Sequence, residues 1–190
     1  MTLSAQQANE ALRDLVQTQH RASVQRGYES SAPHFILWGI IWILGYGGSA
    51  LLPAHAGLLW LVLDLTGFGG AFLIVRAARA GCTSAAYAGG RGVVLRYAAS
   101  AVAMAAFIAA TYFVMRPREV AQFGAFPALI MAFVYVWAGI WRGRRWTIAG
   151  IALGALTLLA FGLLHEHFML WMAGIGGGTL LLTGLWMRRP

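Results

Sequence analysis

Six stretches of about 20 mostly apolar residues constrain this chain more than any other feature of its sequence. They are Phe35–Leu52, Leu58–Ala77, Val93–Met115, Val120–Trp141, Trp146–Leu164 and Phe168–Met187. At 1.5 Å per residue, each matches the roughly 30 Å hydrocarbon core of a bilayer. No water reaches that depth, so each stretch must satisfy its own backbone, and an α-helix does this within one segment. Only 11% of the 190 residues are charged, against about a quarter in a soluble domain. The expected fold class is all-α: a polytopic membrane helical bundle of six transmembrane helices over residues 33–190. Residues 1–32 are expected to form an amphipathic cytoplasmic helix. They contain no apolar stretch followed by a small-residue cleavage site, so the first span is expected to act as an uncleaved insertion signal.

The net charge of +8 raises the question of nucleic acid, and the placement of the charge answers it. All basic residues are arginine. Arg13, Arg21, Arg26, Arg76, Arg79, Arg91, Arg96, Arg142, Arg144, Arg145, Arg188 and Arg189 fall on one side of the expected spans, and Arg116 and Arg118 on the other. This positive-inside asymmetry is expected to put both termini in the cytoplasm. The lipid bilayer, with its anionic headgroups, is the partner this charge suits, and nucleic acid is not. Cys82 is the only cysteine, which leaves no internal disulfide and no thiolate zinc cage.

A glycine phrase appears three times, as GYGGSALL from Gly45, GFGGAFLI from Gly67 and GIGGGTLL from Gly174. Spans four and six share an ending, AGIWRGRR from Ala138 and TGLWMRR from Thr183. The expected organisation is three helical hairpins, about 35–80, 93–145 and 146–189, with short outer turns. Small residues let helix backbones approach closely in lipid, where no hydrophobic drive assembles them. Gly45, Gly48, Gly67, Gly70, Gly150, Gly154, Gly174 and Gly178 are therefore expected to be packing notches. An unwound, ion-coordinating segment of the transporter kind is the alternative.

The segment WGIIWILGYGGSALLPAHAGLLWLVLDLTGFGGAFLIVRAA, Trp38–Ala78, resembles the hairpin unit of small acid-resistance membrane proteins of the HdeD type. The resemblance is weaker over Gly150–Arg189 and poor over Val93–Arg145. It implies six spans and a stress-tolerance role in the inner membrane, and it carries no catalytic residues. Ser4 and Gln7 have capping-box spacing and Gly27 suits a helix stop, which predicts a helix over Ala5–Arg26. Ala5, Ala8, Leu12, Leu15, Gln19 and Ala22 trace a thin heptad seam. Through residues 5–26 this helix either lies on its own bundle or docks another copy or a cytoplasmic protein partner.

Asp64 is an acid about 10 Å into span two, and an intramembrane acid is a functional-site hypothesis by default. Tyr46, Tyr112 or Arg116 is expected to hydrogen-bond or pair with it. As a structural contact it needs a donor within about 3 Å, and Asp64→Leu would then destabilise the fold. As a proton or cation site it needs exchange with water. His55, His165, Glu166 and His167 occupy outer turns and offer nitrogen and oxygen ligands suited to zinc or copper; histidine is also a pH sensor. HEH is not the HExxH spacing of a zinc hydrolase. The sequence holds no nucleotide loop, no paired carboxylates and no nucleophile–base set, so neither catalysis nor a cofactor is expected. Two functions stay open: a non-catalytic membrane protein acting in envelope stress or through a partner, and a small channel or transporter using Asp64.

Overall fold

The computed structural model describes residues 5–80 and 90–189; Cys82 lies outside them. Every regular element among the described residues is helical. The long helices are α1 (Ala5–Leu51), α2 (Ala56–Ala80), α3 (Gly90–Met115), α4 (Val120–Arg142) and α5 (Arg144–Leu163). The sixth span, α6, joins a short segment, Phe168–Trp171, to a π-helical turn, Met172–Gly177, and a final segment, Gly178–Met187. All six are long and apolar enough to cross a membrane. The chain is an all-α, multi-pass membrane bundle.

The amino-terminal helix does not stop at Gly27. It continues into span one as a single helix of 47 residues, about 70 Å long. A glycine stop needs a left-handed backbone, and Gly143 is the one glycine with positive φ among the described residues. Gly27 stays helical, and the Ser30 and Ser31 hydroxyls both donate to its carbonyl at 3.0 and 2.7 Å. Of the heptad seam, Leu15 and Gln19 are exposed; for Ala5, Ala8 and Leu12 only the helical backbone is described.

The core lies between α1, α4, α5 and α6. Phe35 and Trp42 from α1 meet Tyr135 from α4, Leu153 from α5, and Phe168, Met172, Leu180 and Met187 from α6. The most extensive pairings are α4 on α5 and α1 on α6, and both cross the boundaries of the expected hairpins. α2 packs on α1. α3 meets α4 through the rings of Phe107 and Tyr112 against Phe123 and Phe126.

Glycines explain these pairings, though not always the expected ones. A Cβ on Gly150 would stand 2.6 Å from both Ala132 O and Val136 N, so α4 and α5 touch backbone to backbone. A Cβ on Gly177 would stand 2.9 Å from Gly39 O and 3.0 Å from Ile43 N, and Gly39 and Gly184 make the same close approach between α1 and α6. Gly45, Gly48, Gly67 and Gly70 instead receive side chains across the α1–α2 contact: Trp60, Leu59, Ile41 with Trp38, and Leu37. Gly154 makes an ordinary contact with Ala132 Cβ at 3.4 Å. Gly174 and Gly178 are not packing notches. Nothing lies within 4 Å of either, because the GxxxG spacing fixes a shared face but not which face turns inward. The phrase is not an unwound site either, since Gly178 N–H still bonds to Gly174 O and Ile175 O.

The end that carries the termini is fastened by Arg145. Its Nη1 donates to Arg189 O at 2.8 Å and Trp186 O at 3.2 Å, capping α6. Its guanidinium lies over Tyr28 at 4.9 Å and Trp186 at 5.4 Å. Hydrogen bonds to a charged group contribute about 1.5–3 kcal/mol. We expect Arg145→Ala to lower stability by about 2 kcal/mol, measured by thermal unfolding in detergent. Arg145→Lys should recover little, because an ammonium cannot both fork and stack.

Candidate functional site

Several polar groups at membrane depth gather where the carboxyl-terminal halves of α1 and α3 meet the amino-terminal halves of α2 and α4. Pro127 explains much of their arrangement. Proline has no N–H, so inside α4 it leaves the carbonyl four residues earlier, Phe123 O, without its helical donor. The Tyr112 hydroxyl of α3 donates to that oxygen. One residue on, Gly124 O accepts from the buried Tyr46 hydroxyl of α1 at 2.7 Å. Trp60 Nε1 of α2 donates to Ser49 Oγ at 3.0 Å, and Ser49 donates to Gly45 O at 2.7 Å. Trp42, Tyr46 and Trp60 are stacked edge to face, with centroids 5.5 and 5.1 Å apart. This wall of rings and satisfied polar tips stands beside Asp64.

Asp64 is half-buried and close enough to Tyr46 for the two to interact electrostatically. Its carboxylate receives no hydrogen bond and no ion pair among the described residues. The expected partners are otherwise engaged: Tyr46 and Tyr112 give their protons to α4 carbonyls. Arg116 is exposed in the α3–α4 turn with φ of 46°, and it makes no ion pair with Asp64. Among the described residues the intramembrane acid therefore has no donor of its own.

The turns that carry His55 and His165–His167 differ from expectation as well. His55 ends a short 3-10 turn, Pro53–His55, and His165, Glu166 and His167 form another. The structure does not assemble them into a metal site: among the described residues no three His, Cys, Asp or Glu side chains are grouped to hold an ion. His165 reaches instead to Glu119, its Nε2 2.7 Å from a carboxylate oxygen. Glu119 lies 46 positions away and becomes its neighbour only because α4 packs on α5.

Fold and site together define a multi-pass membrane bundle with a close-packed core and one acid at membrane depth. No protein family, curated protein or solved structure matches this chain.

Proposed function

We propose that this protein is a non-catalytic component of the bacterial inner membrane, with both ends cytoplasmic, acting in envelope stress tolerance through contact with a protein partner. The observation that carries this reading is the unbroken α1 helix. About 30 of its residues, near 45 Å, precede the apolar stretch that begins at Phe35. Along them Leu15 and Val16 are 57% and 64% exposed, beside Arg13 and Asp14. A rod continuous with a packed span passes a contact at its tip directly into the membrane core. The core itself supports a scaffold: the buried hydroxyls of Ser49 and Thr157 are satisfied on carbonyls one turn back, and fully buried side-chain polar atoms among the described residues all have partners.

In a strain lacking the chain, the Leu15→Glu/Val16→Glu double variant should fail to restore stress survival. Its membrane level and detergent stability should match wild type, since neither side chain is in the core. Each apolar anchor contributes about 1.5–3 kcal/mol when buried, so a partner contact would weaken by tenfold or more. Full survival with both charges in place would overturn the reading.

A second reading rests on the carboxylate of Asp64, which has no donor among the described residues: a small channel or transporter for protons, cations or a small solute. Conductance or uptake in liposomes, lost in Asp64→Asn, would favour it.

A further inference from the structure

The α3–α4 and α5–α6 turns are tied together by His165, and the geometry of that tie depends on a proton. His165 Nε2 stands 2.7 Å from Glu119 and its Nδ1 stands 3.3 Å from Phe161 O. A carbonyl and an ionised carboxylate are acceptors only. A neutral imidazole has one N–H, so one of its nitrogens would aim a lone pair at an oxygen. An imidazolium has two, and it satisfies both neighbours, the one to Glu119 with charge assistance.

The tie sits at the start of α4. Glu119 directly precedes α4, and the Arg118 and Glu119 N–H groups turn onto Gln122 Oε1 at 2.8 and 3.4 Å. Arg116, in the same turn, has a left-handed backbone, unusual for a residue with a side chain. The charged groups around the imidazole are Glu166 and His167 on its own turn, and Glu119 with Arg116 and Arg118 on the facing one. α5 and α6 contribute Phe161, edge-on to the imidazole at 5.0 Å, and Phe168 behind it; neither titrates.

We propose that His165 is a proton-controlled latch that binds the α3–α4 turn to the α5–α6 turn when protonated and releases it as pH rises. Imidazole is the side chain that changes charge between about pH 5 and 8. The latch contributes stability on the acid side of that change and loses it above. With side-chain exposures of 43% and 56%, the tie is modest, as exposed pairs are.

The test uses the full chain in phospholipid vesicles, with Cys82→Ser and spin labels at Arg118→Cys and Leu163→Cys. Between about pH 5.5 and 8.5, spanning imidazole titration, the population with separated turns should rise about two- to fivefold, the size of a broken exposed pair. His165→Gln should show the separated population at both pH values. His165→Arg, a permanent cation, should hold the turns together at both. A wild-type distance that ignores pH overturns the latch. So does the same pH dependence persisting in His165→Gln or His165→Arg; the arginine variant keeps the test decisive if glutamine impairs folding.

Discussion

Gly177→Leu should leave little folded protein in detergent, while Gly174→Leu, three residues away in the same phrase, should fold like wild type. At Gly177 the first added carbon already meets Ile43 Cγ1 at 2.5 Å, Gly39 O at 2.9 Å and Ile43 N at 3.0 Å. The isoleucine tip could swing aside, but the two backbone atoms cannot move without parting α1 from α6. Overpacking of a tight core costs about 1–3 kcal/mol, sometimes more. Here the loss should exceed 3 kcal/mol, because the contact runs on through Gly39 and Gly184. Gly174 has open space around it and lies in a shallow surface groove with Leu170, Trp171 and Ile175. A leucine there adds apolar surface where lipid already is. Thermal unfolding of the two variants side by side is the measurement. Equal stability would mean that the α1–α6 contact does not hold the bundle together.

That contrast also marks what could be read from the residues in advance. The six spans were legible because hydropathy over about 20 residues is a property of local composition. So was the identity of glycine as the packing residue. Its direction was not. Gly45 and Gly48 receive side chains, Gly177 meets backbone, and Gly174 meets nothing, although all belong to versions of one phrase. Which face turns inward depends on neighbouring helices and on the π turn, which inserts an extra residue into the helical repeat. Gly27 was ambiguous for a related reason: glycine suits a helix stop, yet crossing it in helical conformation costs only about 1 kcal/mol. The engagement of Tyr112 had a visible signal in Pro127, which frees a carbonyl at a known position in span four. His165 and Glu119 had no such signal, since their meeting requires knowing that α4 and α5 are neighbours.

Asp64→Leu should make the protein more stable, reversing the expectation that treated this acid as a structural contact. A structural acid gains stability from its donors, and Asp64 has none among the described residues. An aspartate at the centre of a membrane helix costs about 2.5–3.5 kcal/mol on insertion scales. Asp64 lies off centre and half-buried, so its removal should recover about 1–2 kcal/mol. For a chain of this size that is a rise of about 2–4 °C per kcal/mol. A residue that weakens the fold persists where function needs it, and stability and function should therefore separate in this variant. Asp64→Leu should unfold later than wild type yet fail to restore the stress phenotype. Asp64→Asn then divides the possible reasons. If the amide keeps function, a polar contact to a partner within the membrane is what matters. If it loses function while folding normally, ionisation matters, and the transport reading displaces the partner-contact reading. A fall in stability for Asp64→Leu would show that the carboxylate does hold a donor, and the structural account would return.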